Sequence, residues 1–246
     1  MYRPFRVVIG TADHHGSSIN IGTANNYVLT SRNLDAVFSL GRDGAGLQWL
    51  LSPTLESNFT FVTDADKFYD PHDVTQLTNT TLTLIDDGNA RPHCNFDDAS
   101  HTGCFSRAIE LELDFDTLEA RVTWQYEFPS LLSNTGDLRE AEKTDVFNEV
   151  GGSVTKLLSA ANNVSAYEDF IVAFTAIDDT DDNATSVGYQ TFVYQVNPDG
   201  DAVATMTLPV LPSWGTAGRY RVEPSLSVNG ESADCPFPGG YSDDDA

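Results

Sequence analysis

The chain has 246 residues, of which 40% are hydrophobic, so it can bury a sizeable core. Its formal net charge of -24 argues against a nucleic acid or an anionic membrane surface as partner, because phosphate binding needs a basic patch. No apolar run reaches the roughly 18 residues of a membrane helix, so no membrane insertion is expected.

Short runs in which every second residue is apolar predict an all-β protein. The turn sequences GRDGAG, IDDGNA and NPDGD separate these runs. In the clearest runs the predicted inward residues are Ile109, Leu111, Leu113 and Phe115, followed by Val122, Trp124 and Tyr126.

The predicted strands fall into three similar units of four, and a fourth unit is only begun, by residues 218–228. In chain order the predicted strands are 19–21, 27–31, 35–40 and 47–51, then 74–77, 81–85, 106–113 and 120–128, then 153–158, 170–177, 191–196 and 202–208.

Repeated four-stranded units with long loops are typical of a β-propeller, and about three and a half blades are present. A β-sandwich built from the same strands is the alternative. In either fold Trp49 and Trp124 are expected to pack between sheets, and Arg32 to bond a neighbouring sheet.

The cysteines and glycosylation motifs favour an oxidising compartment. Cys94 and Cys104 lie in one loop, where a disulfide would constrain the chain, and Cys235 remains over. A zinc site with His93 and His101 is the alternative to that disulfide. Asn-x-Ser/Thr occurs at Asn58, Asn79, Asn163 and Asn183. We therefore expect the secretory pathway or the cell exterior, although residues 1–15 lack the apolar core of a signal peptide.

Two histidines precede the first strands of their units. His15 stands in DHHGSSINI and His72 in DPHDVTQL, while Arg91 follows the next strand of the second unit. Because the first strands of propeller blades line a central channel, we expect His15 and His72 to meet at one mouth of it. Arg91 reaches the same mouth if its loop folds inward; otherwise it forms a surface ion pair with Asp86 or Asp87.

These segments resemble the arylsulfotransferase family, in particular its eukaryotic and actinobacterial branch. The resemblance lies in HHGSSINI, NNYVLTSRNLDAVFSL, HDVTQL, LTLIDDGNAR and GGSVTKL, and it covers nearly all of residues 13–225. The family's usual forms differ at single positions: this chain has Pro71 before the histidine instead of Gln, and Asp87 after Asp86 instead of Asn.

The resemblance implies a six-bladed propeller, of which this chain holds part: an N-terminal segment 1–12, propeller blades 13–228 and an acidic tail 229–246. It implies sulfuryl transfer from a phenolic sulfate to a phenol with no cofactor and no metal. His15 and His72 are then expected to orient the sulfate and transfer protons, and Arg91 to hold the sulfate oxygens.

One further histidine, which acts as nucleophile in bacterial members, has no counterpart after His101. A different histidine is then sulfurylated, or transfer is direct, or the domain is a non-catalytic propeller that binds or scaffolds. The partner expected in the catalytic case is a small phenolic or sulfated substrate.

Overall fold

The computed structural model describes residues 16–89, 91–94, 105–129, 151–157, 168–178 and 188–208. Within these ranges the chain is all-β, with two short 3-10 helices at Arg32–Leu34 and Asp64–Asp66. The strands are β1 Gly16–Ile21, β2 Asn26–Ser31, β3 Ala36–Gly41, β4 Gly46–Leu51, β5 Thr60–Phe61, β6 Pro71–Gln76, β7 Thr81–Asp86, β8 Arg107–Asp114, β9 Glu119–Glu127, β10 Ser153–Lys156, β11 Phe170–Asp178, β12 Gly188–Val196 and β13 Ala202–Leu208.

The strands form three sheets in which consecutive strands pair antiparallel. The first sheet has the order β1-β2-β3-β4, the second β5-β9-β8-β7-β6 and the third β10-β11-β12-β13. All twelve predicted strands and their grouping by four are confirmed. The unpredicted β5 has two residues and pairs parallel with β9, so it offers no alternation to detect. The described residues contain no closed ring.

The second sheet is buried on both faces by its neighbours. One face packs with the first sheet around Trp49, Leu51, Leu84 and Ile109. The other packs with the third sheet, where the Trp124 and Phe170 rings stack with centroids 3.7 Å apart. Both tryptophans therefore lie between sheets, as predicted.

The strands that begin the three predicted four-stranded units, β1, β6 and β10, lie side by side. The Asn20 side-chain amide donates to the Val74 carbonyl at 2.6 Å, and the Val74 N–H donates to Ser18 Oγ at 3.0 Å, which joins β1 to β6. The Val154 N–H donates to Asp73 Oδ2 at 3.0 Å and joins β10 to β6. These contacts join β1 and β10 to Asp73 and Val74 of β6, the two residues that follow His72.

Phe115 is predicted inward but is exposed, and Val122 and Trp124 are predicted on one inward face but lie on opposite faces of the second sheet. Thr123 is an extra residue in β9, since Trp124 pairs with Glu110 but Val122 pairs with Leu111. This bulge turns the strand, so that Val122 packs against the core shared with the first sheet and Trp124 against the core shared with the third. Phe115 lies beyond the end of β8 and is 46% exposed.

Candidate functional site

His72 lies in a bulge of β6, directly before the two residues that contact β1 and β10. Pro71 and His72 pair with Asp86 and Ile85, and the register then shifts before Thr75. Asp73, inside the bulge, has a φ of 50°, a left-handed conformation that Asp tolerates better than most residues. The bulge leaves the imidazole of His72 only 1% exposed.

Two oxygen acceptors surround one nitrogen of the His72 ring. Nδ1 lies 3.1 Å from the Asp70 carbonyl and 2.8 Å from Asp87 Oδ2. The carbonyl meets the hydrogen-bond geometry, and the Asp87 carboxylate lies within ion-pair distance of the same nitrogen, which makes an ionic contact only when the ring is protonated. Because neither oxygen can donate, Nδ1 carries the ring proton and the lone pair of the neutral ring is on Nε2.

Asp70 also connects the second sheet to the first. Arg32 Nη1 lies 3.4 Å from Asp70 Oδ1, which confirms the predicted bond of Arg32 to a neighbouring sheet. The Asp70 N–H donates to Asp35 Oδ1 at 2.8 Å. Burial is the largest cause that raises the pKa of the Asp35 carboxyl to about 6, and the carboxylates of Asp70 and Asp86 contribute to the same rise. Arg32 and Asp35 thus both contact Asp70, the residue whose carbonyl faces His72.

Arg91 lies next to a second carboxylate, that of Asp86. Its Nη2 donates to Asp86 Oδ2 at 2.6 Å, and its guanidinium stacks 3.8 Å from the Phe105 ring centroid. Of the two predicted surface partners the structure shows Asp86, but this pair is buried, with the Arg91 side chain 9% exposed. Arg91 Nε is buried and has no hydrogen-bond partner among the described residues.

Arg107 completes the Asp86 cluster. Its Nε donates to Asp86 Oδ2 at 2.8 Å, and its remaining donors reach the Gln125 side chain and the carbonyls of Ala65 and Lys67. Asp86 Oδ1 accepts the Tyr69 N–H at 2.9 Å. This network fixes the segment that leads into His72.

His72 and Arg91 are therefore connected through consecutive carboxylates. His72 is the cross-strand partner of Ile85, which packs toward the third sheet. Asp86 is the partner of Arg107, on the opposite face of the second sheet. Among the described contacts, His72 and Arg91 have no atom in common as a partner. His15 lies outside the described residues, so its predicted meeting with His72 stays a prediction.

The sequence does not predict Asp70 and Asp87 as neighbours of His72, Asp35 as a partner of Asp70, or Arg107 as a partner of Asp86. The available signal was IDDG, in which two acidic residues directly follow a buried strand. In sequence this motif indicates a turn, whereas in the structure both carboxyl groups are fully buried.

The predicted disulfide also stays a prediction, because Cys104 lies outside the described residues, as does His101 of the zinc alternative. Within the described ranges no three or more His, Cys, Asp or Glu side chains are arranged so that they could hold a metal ion. In the same ranges no helix has the length and apolarity needed to cross a membrane.

Comparison with known proteins shows the family. The family model for arylsulfotransferases (ASST) matches residues 14–153, which is more than half of the 246 residues, and the chain belongs to this family. The match includes His72, Asp87, Arg91 and Arg107. None of the curated proteins searched matches the chain.

Proposed function

We propose that the protein transfers a sulfuryl group from an aryl sulfate to a phenol, and that His72 carries the group between them. The observation that supports this most is the His72 ring, whose Nδ1 faces the Asp70 carbonyl and the Asp87 carboxylate. This arrangement puts the nucleophilic lone pair on Nε2. It also supplies the sulfurylated histidine for which the sequence shows no candidate after His101.

The proposed reaction has two steps. In the first, the Nε2 lone pair forms a bond to the sulfur of the aryl sulfate, the bond from sulfur to the aryl oxygen breaks, and its electron pair leaves on the phenolate. In the second, the oxygen of an acceptor phenol bonds to sulfur and the nitrogen–sulfur bond breaks. The electron pair returns to Nε2, and the phenolic proton passes to the first phenolate or to solvent.

Cations are needed near the sulfate oxygens during both steps. Arg32 is supported by its contact with Asp70, whose carbonyl faces His72. Arg91 is supported by its buried Nε, which has no hydrogen-bond partner in the part of the chain that the structure describes, although its Nη2 is bonded to Asp86. We propose that one or both hold the sulfate and that His15 assists.

The three sheets are proposed to be consecutive blades of a propeller, with segment 1–12 before them and tail 229–246 after them. This is supported by the adjacent first strands and the face-to-face packing of successive sheets. Passage through the secretory pathway is supported by the exposure of Asn58 and Asn79, the two glycosylation motifs within the described residues.

A non-catalytic binding or scaffold module is the second candidate, and the low exposure of His72, 1%, favours it. The two candidates are separated by release of p-nitrophenolate from p-nitrophenyl sulfate in the presence of phenol, using the full chain. We expect turnover that falls about tenfold or more in His72→Gln. The matched control is His93→Gln, at an exposed histidine, which should keep wild-type turnover. No turnover by the wild type, or equal turnover in both variants, would refute the catalytic proposal.

A further inference from the structure

Asp87 is a fully buried carboxylate whose position the backbone fixes on both sides. Ser106 Oγ donates to the Asp87 carbonyl at 2.6 Å. The N–H of the next residue, Gly88, donates to the Tyr69 carbonyl at 2.9 Å. These bonds hold Asp87 Oδ2 at 2.8 Å from His72 Nδ1, where both side chains are excluded from water.

A carboxylate in this place affects the charge of the ring more than its orientation. The Asp70 carbonyl already accepts the Nδ1–H and selects the tautomer. Asp87 adds a negative charge next to the same nitrogen, and a buried charge acts strongly because solvent does not screen it. The Asp70 carbonyl therefore determines the tautomer of the ring, and the Asp87 carboxylate determines how favourable the charged ring is.

We infer that Asp87 is a positioning residue that stabilises His72 whenever the ring is a cation. This inference rests on the proposed function, in which the ring becomes a cation when Nε2 bonds to sulfur while Nδ1 keeps its proton. No other proton or electron has to move, because the Asp87 carboxylate offsets the new positive charge. If this inference is right, replacing Asp87 by the neutral asparagine leaves the proton of the neutral His72 ring on Nδ1 and makes the charged ring less favourable.

The test compares Asp87→Asn with Asp116→Asn, a matched change at an exposed aspartate. The ¹⁵N chemical shifts of the His72 ring are recorded without substrate at one slightly acidic pH. We expect the Nδ1–H tautomer in all three proteins. We expect the ratio of doubly to singly protonated ring to fall about tenfold or more in Asp87→Asn, the effect of removing an opposite charge at contact distance. Asp116→Asn should match the wild type.

The second measurement is the share of His72 that carries a sulfuryl group at a fixed ratio of aryl sulfate to free phenol, which should fall by a similar factor. A wild type that is never sulfurylated, with the ring ratio still falling in Asp87→Asn, would refute the proposed function and leave the role of Asp87 standing. If Asp87→Asn does not fold, Asp87→Ala is measured in the same way. An unchanged ring ratio in a folded variant overturns the inference.

Discussion

Replacing Arg107 by methionine is expected to destabilise the fold strongly, because this side chain joins four separate groups around Asp86. The guanidinium donates to Asp86 Oδ2 at 2.8 Å, Gln125 Oε1 at 2.6 Å, the Ala65 carbonyl at 2.9 Å and the Lys67 carbonyl at 2.8 Å. Its side chain is 4% exposed. Methionine has a similar length and keeps most of the packing, so the variant isolates the polar loss.

The loss of stability in Arg107→Met depends on the partners that Asp86 keeps once the guanidinium is gone. Removing one member of a buried ion pair costs about 3–5 kcal/mol when the other charge is left alone. Asp86 is not left alone, since the Arg91 guanidinium and the Tyr69 N–H still bond it. We therefore take the lower end, about 3 kcal/mol, a large part of the ~5–15 kcal/mol by which a domain is stable. Arg107→Lys should lie between, because it keeps the charge but not the planar fork.

The assay is urea unfolding followed by the fluorescence of the buried tryptophans Trp49 and Trp124. The matched control is Arg121→Met, which breaks an arginine–carboxylate pair with Glu112 on the adjacent strand of the same sheet. Arg121 is 63% exposed, so its loss should leave the unfolding midpoint unchanged within error. Equal midpoints for Arg107→Met and Arg121→Met would show that the Asp86 network does not stabilise the fold.

Three further predictions concern other parts of the described structure. Gly88→Ala should lower the free energy of unfolding by about 2 kcal/mol or more, measured by urea unfolding, because φ is +76° and the new Cβ would lie 2.3 Å from the Phe105 carbonyl oxygen; wild-type stability would contradict this. Asp35 binds its proton more tightly in the folded state, with a pKa of about 6 against 3.8, so its contribution to stability falls as pH rises from about 4 to about 6. Asp35→Asn keeps the acceptor for the Asp70 N–H. Near neutral pH it should be more stable than wild type by about 1 kcal/mol, a value that allows for solvent screening of a half-buried group, and near pH 4 it should show no gain. An equal gain at both pH values would contradict the buried charge of Asp35 as the cause. Peptide mass spectrometry without reductant should find Cys94 joined to Cys104, and two free thiols there would contradict the disulfide.

The strands could be predicted from sequence because each is a short alternating run closed by a turn. Residues 81–85 and 106–113, for example, were predicted within one residue of β7 and β8. The face on which each residue lies could not be predicted across β9, where Thr123 adds one residue and reverses the alternation. An inserted residue changes no composition signal, so only the hydrogen-bond register shows it.

The candidate site was predicted in part, for a physical reason. His72 is recognisable because it stands just before the predicted strand 74–77, although β6 begins earlier and includes it, and Arg91 because it follows the next strand. The carboxylates that determine their chemistry are not, because Asp86 and Asp87 in a Gly-containing turn have the composition of a solvated loop. Their burial depends on Ser106, Arg107 and Tyr69, which are distant in sequence and contact them only in the folded chain.

The most direct test of the account is to look for the sulfuryl group on the protein itself. The full chain is incubated with p-nitrophenyl sulfate in the absence of a phenol acceptor, digested at alkaline pH and analysed by peptide mass spectrometry. We predict a single sulfuryl group on the peptide that contains His72, and its loss when phenol is added before digestion. An unmodified His72 would contradict the role proposed for its Nε2. This holds if another residue carries the sulfuryl group and also if no residue does.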